Sequence, residues 1–114
     1  MSDSSCLFCR IARGEIPANI VHQDDKLVAF RDINPQAPVH VLVIPREHVP
    51  SLNQAKDAEM IGRLSLMAAD IARSEGAAES GYRTVINTNA GAGQTVFHVH
   101  LHLLGGRSMH WPPG

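Results

Sequence analysis

The chain reads as an α+β domain, with one antiparallel sheet of about five strands carrying two helices. Short apolar runs of strand length, rich in β-branched residues, are joined by links of hairpin length. Two further stretches repeat apolar residues at helical spacing, and they do not alternate regularly with the strands as the helices of a parallel sheet would. At 114 residues and 44% hydrophobic content there is material for one core and not for two ordinary ones. Residues 1–114 are therefore taken as a single domain, with 1–5 a flexible N-terminus and 105–114 a C-terminal tail.

Leu7 to Arg13 is a short helix in this reading, because Phe8, Ile11 and Ala12 fall on one face and Gly14 follows as a stop. Pro17 breaks the chain. Ile20 to His22 and Leu27 to Phe30 flank the polar Gln23-Asp24-Asp25-Lys26 and form a hairpin. Asn34 to Pro38 is a rigid loop, since its two prolines fix φ and push the preceding residues to extended conformations. Val39 to Ile44 is a nearly continuous β-branched strand ended by Pro45. The clearest helix runs from about Lys56 to Glu75: Met60, Leu64, Met67 and Ile71 share one face, with Gly76 beyond, and are expected in the core. Tyr82 to Asn87 is a strand, Thr88 to Gln94 a glycine-containing loop, and Val96 to Leu104 the last strand. The long helix covers one side of the sheet and leaves the other for function.

Bulk properties exclude several roles. The formal charge is −1 and the ten basic residues are scattered, which argues against binding long nucleic acid. No run approaches the roughly 18 to 20 apolar residues of a membrane helix, and Met1 to Ser5 lacks the regions of a signal peptide, so a soluble cytoplasmic protein is expected. The two cysteines, in Cys6-Leu7-Phe8-Cys9, cannot make a secreted disulfide framework.

Seven histidines are many for this length, and three lie in His98-Val99-His100-Leu101-His102. Strand alternation sends the three imidazoles to one side, with neighbours roughly 6.5 to 7 Å apart, and sends Phe97, Val99, Leu101 and Leu103 to the core. Groups that titrate near neutrality suit nucleophilic attack, proton transfer and neutralisation of phosphate charge. Spacing alone leaves three readings: a merely histidine-rich polar face, a zinc site with an open position for activated water, and metal-free phosphoryl chemistry. The flank Gly91-Ala92-Gly93-Gln94-Thr95 favours an anionic substrate. Its glycines permit close backbone approach, and Gln94 and Thr95 add side-chain donors for phosphate oxygens.

His98-Val-His-Leu-His-Leu-Leu104 resembles the histidine-triad motif His-φ-His-φ-His-φ-φ, with φ apolar. Asp32-Ile-Asn-Pro-Gln-Ala-Pro-Val-His40, Val43-Ile-Pro45, Gly81-Tyr-Arg83, Gly93-Gln94 and the ending Gly105-Gly-Arg-Ser-Met-His-Trp-Pro-Pro-Gly114 are similar to the Hint branch of that superfamily, the histidine-triad nucleotide-binding proteins. The resemblance implies a homodimer whose two five-stranded sheets join into ten strands. It also implies hydrolysis of purine nucleoside phosphoramidates, adenosine or guanosine monophosphate linked to an amine, and of aminoacyl-adenylates. By this resemblance His100 attacks the α-phosphorus and forms a nucleotidyl-histidine intermediate, His102 contacts the phosphate oxygens, and His98 with His40 forms a relay that holds His100 in its reactive tautomer. No cofactor is required for that chemistry.

The same resemblance makes Asp32 the ribose-binding acid and Phe8, Ile11, Ile16, Ile33 and Leu42 the apolar base pocket. Asn87 and Thr95 contact the phosphate or leaving-group side, with threonine keeping the hydroxyl of the serine more common in the family. Trp111 reaches toward the partner subunit's site. The Cys6-Leu-Phe-Cys9 segment is similar to bacterial members, some of which hold structural zinc; the matching ligands are Cys6, Cys9, His48 and His98. Two reduced cysteines on a short helix are the alternative there. Rival functions are a nucleotide-binding or protein-interaction module with incidental hydrolysis, a diadenosine polyphosphate hydrolase, and zinc-water catalysis at the triad.

Overall fold

The structure, a computed structural model, describes residues 3–114. In chain order it has α1 (Leu7–Ala12), β1 (Ile20–Gln23), β2 (Leu27–Arg31), β3 (Val39–Pro45), α2 (Ala58–Ser74), β4 (Tyr82–Val85) and β5 (Leu101–Gly105). The five strands form one antiparallel sheet in the order β1-β2-β3-β5-β4. This is the α+β architecture expected from the sequence. No helix among the described residues is long and apolar enough to cross a membrane.

Local chemistry sets the helix ends. The Cys6 sulfur accepts from the Cys9 N–H at the start of α1, and Asp57 accepts from the Met60 N–H at the start of α2. Gly14 and Gly76, at φ of 75° and 79°, take the chain out of each helix. Met60, Leu64 and Ile71 are buried as expected, together with Ala68 and Ala72. The two alanines shift the buried stripe, and Met67 is left half-buried at its margin.

Each face of the sheet has its own core. Leu27, Ala29, Val41, Val43, Leu101 and Leu103 pack beneath α2, while Val28, Phe30, Leu42 and Ile44 pack with Phe8 and Ala12 of α1 on the other side. All of β3 is buried, which accounts for a sequence that is apolar except at His40. Gly105 closes β5 where a Cβ would stand 2.9 Å from that of Ala77.

The last strand is shorter than expected. Continuing the ladder beyond Val43–Leu101 would set Val99 against Pro45, which has no N–H to give. The Pro45 carbonyl is occupied by the His98 ring, and the Val99 N–H goes to the Val49 carbonyl instead. Facial alternation survives without the ladder: Val99 joins the α2 core, and His98 and His100 turn to Phe8. Phe97, expected in the core, is about half exposed because the chain has left the sheet there. Strand β4 likewise ends at Val85 and not at Asn87, where the chain turns off into the glycine-containing loop.

Candidate active site

His102 lies on β5 opposite Leu42, and His40 lies on β3 opposite Leu104. The rings of His100 and His102 meet edge to face at 5.0 Å, and those of His40 and His102 approach to 5.2 Å. His40, His98 and His100 are buried.

Hydrogen-bond partners assign a proton to each ring. The Gln36 N–H donates to His40 Nδ1 (3.0 Å), so the neutral His40 carries its proton on Nε2 and donates it to His102 Nδ1 (2.9 Å). His102 therefore keeps its own proton on Nε2. His100 Nδ1 lies 2.7 Å from the main-chain carbonyl of His98. A carbonyl only accepts, so His100 holds its proton on Nδ1 and presents an unprotonated Nε2. Burial supports the neutral forms: it lowers the pKa of His40 and of His100 below the usual value and pushes that of His102 down to about 4.

The expected relay, in which His98 with His40 holds His100, is corrected by this geometry. His40 pairs with His102, and the backbone of His98, not its ring, orients the His100 ring. The His98 ring donates from Nε2 to the Pro45 carbonyl (2.7 Å) and turns Nδ1 toward the cysteines.

His98 Nδ1 is 3.4 Å from the Cys6 sulfur and 3.5 Å from that of Cys9, which is 3.3 Å from His48 Nδ1. All four donor atoms lie within 4.8 Å of one another. A tetrahedral ion with Zn–S of about 2.3 Å and Zn–N of about 2.05 Å needs sulfur and nitrogen about 3.5 Å apart, so the residues fit the metal. The Pro45 carbonyl leaves the His98 Nδ1 lone pair free, as ligation requires. Asp32, His40 and His102 are also mutually close. There His40 Nε2 already carries the proton that the Gln36 N–H dictates, and it has no lone pair to offer.

The remaining residues separate into those brought together and those left apart. Phe8 sets its ring edge-on to His100 (5.0 Å) and Phe30 (5.5 Å). Leu42 and Ile11 pack in the same cluster. Ile16 is half-buried, and Ile33 is fully exposed at the tip of a turn whose Asn34 N–H donates to Asp32. The second Asp32 oxygen is 3.5 Å from His40 Nε2. Thr95 is exposed, Asn87 is half-buried, and Gly93 sits at φ 90°. Trp111 stands in solvent on a tail held by Arg83, which donates to the His110 carbonyl.

Gln94 differs from expectation. It is buried; its amide donates to the Pro50 and Val96 carbonyls, and its oxygen accepts from the Asn89 N–H. No side-chain donor is left for phosphate, and its role is to pin the loop. Phe30 was not anticipated in the apolar wall, although its alternation with Val28 puts it on the histidine side.

The HIT domain profile matches residues 13–109. The purine nucleoside phosphoramidase of Escherichia coli is 51% identical over 105 residues, covering 90% of this chain and 88% of that protein. The 14 kDa zinc-binding protein of Zea mays is 47% identical over 118 residues, covering 100% and 91%. The crystal structure of a HIT family hydrolase from Legionella pneumophila superposes with a TM-score of 0.94 at 53% identity, covering 96% of this chain and all of the other. By profile, sequence and fold, this chain belongs to the HIT domain family and is one of its hydrolases.

Proposed function

We propose that this protein hydrolyses purine nucleoside phosphoramidates, and the related aminoacyl-adenylates, through a nucleotidyl-histidine on His100. The observation that carries the reading is the His98 carbonyl on His100 Nδ1, which leaves Nε2 as the one free lone pair of a buried, neutral imidazole. Nε2 bonds to the α-phosphorus as the bond to the leaving group breaks, P–N to the amine in a phosphoramidate and P–O to the carboxylate in an aminoacyl-adenylate. Water then attacks phosphorus, the P–Nε2 bond breaks, and the nucleoside monophosphate leaves. Over both steps one water is divided, its hydroxyl going to phosphorus and its proton to the amine or, from an adenylate, which releases a carboxylate, to solvent. The His102 Nε2–H is available to a phosphate oxygen, and His40 holds that proton in place. Asp32 takes the ribose hydroxyls, with Phe8, Ile11, Ile16, Ile33 and Leu42 along the base, Asn87, Gly93 and Thr95 at the phosphate, and Trp111 reaching the site of a second copy. The similarity to the E. coli phosphoramidase supports the substrate class.

His100→Ala is expected to lower turnover of an adenosine 5′-phosphoramidate by on the order of 10⁴-fold or more, and to abolish the adduct that mass spectrometry detects after an alkaline quench. Undiminished turnover would overturn the assignment.

Cys6, Cys9, His48 and His98 are proposed to hold a structural zinc, supported by their spacing and by the zinc-binding relative in maize. Bound there, zinc crosslinks separate stretches of chain. Metal analysis of purified protein should find one zinc per chain. A homodimer is also proposed, because β4 is an edge strand to which a second β4 can pair and make ten strands. The reduced cysteine pair accords with a cytoplasmic setting.

A further inference from the structure

The nucleophile stands on a stretch of chain outside the sheet. β5 begins at Leu101, and the preceding residues are held by the Gln94 amide on the Val96 carbonyl (3.1 Å), by the Val99 N–H on the Val49 carbonyl (2.7 Å), and by His98. His98 is fully buried. Its ring bridges the Pro45 carbonyl and the two sulfurs, while its own carbonyl fixes the proton of His100. One residue thus belongs to the cysteine–histidine cluster by its ring and to the active site by its backbone. Helix α1 makes the same junction from the other side. It has six residues, too few to be stable alone, and carries Cys6 and Cys9 into the cluster and Phe8 against the His100 ring.

We infer that the cysteine–histidine metal centre is what positions the nucleophile. This rests on the zinc reading above. A cation on Cys6, Cys9, His48 and His98 ties α1, the chain after β3 and the chain before β5 at one point. The His98 carbonyl and the Phe8 ring are thereby fixed around His100. His98 is a positioning residue, acting on His100 through the backbone, and the metal has no contact with substrate in this role.

The test uses the full chain, loaded with zinc or stripped by chelation under reducing conditions, together with Cys6→Ser. Circular dichroism establishes which samples are folded. Hydrogen exchange of the Val99 amide and the NMR signal of the His100 Nδ1–H report on position, and single-turnover formation of the nucleotidyl-enzyme reports on chemistry. Stripped protein and Cys6→Ser are expected to exchange the Val99 amide faster, to lose the Nδ1–H signal, and to form the intermediate about 10- to 100-fold more slowly. Returning zinc should restore all three in the wild-type chain and none in Cys6→Ser.

Unchanged exchange and an unchanged Nδ1–H signal in folded, metal-free protein overturn the inference. So does a wild-type chain that takes up no zinc, or unfolding of the stripped chain, since the centre would then hold the whole fold. If Cys6→Ser alone fails to fold, the stripped wild type decides. Exchange and NMR need no substrate, so failure to turn over any phosphoramidate overturns the proposed activity and leaves this inference to those two signals.

Discussion

Each of the four histidines at the site has a ring nitrogen fixed by a main-chain group, or by another ring that is itself so fixed. The alternation of the histidines was legible in the sequence, and so was the pairing of cysteines with His48 and His98 by resemblance. Their proton assignments were not, because Gln36, Pro45 and His98 act through amide and carbonyl groups that every sequence has. Two pH dependences follow. His100 is held below its usual pKa by burial, so it loses its added proton more readily. kcat/KM should therefore rise with pH along a limb whose apparent pKa is below 6.5 and be flat at neutrality; a limb at or above 6.5 would contradict the burial argument. His102 is pushed to about 4 from 6.5. Between those values the unfolded chain binds a proton that the folded one refuses, so stability falls as pH drops from about 6.5 to about 4, and urea midpoints across that window should record it.

Single elements show where pattern and structure part. A strand over Val96–Leu104 was the natural reading of perfect alternation, and the side-chain pattern does persist. The ladder stops because a proline in the facing strand meets it, which becomes visible only once the register is known. Its place after two glycines makes Gln94 look like a phosphate donor, yet it faces inward and binds three backbone groups. Gln94→Ala strands those groups and is expected to cost about 1 to 3 kcal/mol, measured by denaturant unfolding. On the other face, Leu64→Ala empties a fully buried position of α2 and should cost about 2 to 5 kcal/mol. The two differ in reach, since only Gln94→Ala should also slow turnover, through the loop beside Thr95.

At the scale of the molecule, the sheet order leaves β4 with one free edge, and Trp111 and Ile33 stand exposed while His40, His98 and His100 are buried. A site that uses those two residues is complete only when another surface covers them. The architecture itself is readable from period and loop length; a homodimer is an expectation from resemblance alone, because one chain's pattern does not say what meets its edge. Light scattering should give a mass twice the 12.4 kDa of one chain. A mass of one chain at micromolar concentration would remove the ten-stranded sheet and the role given to Trp111.

The carbonyl that orients His100 has a consequence for mutational history. Any amino acid at position 98 supplies the same acceptor, so the tautomer of His100 is not written in a side chain that a codon change can erase. What such a change removes is the anchor. A change at position 98 therefore leaves the acceptor in the chain but frees it to move, and the proton on His100 is held less firmly without having lost its partner.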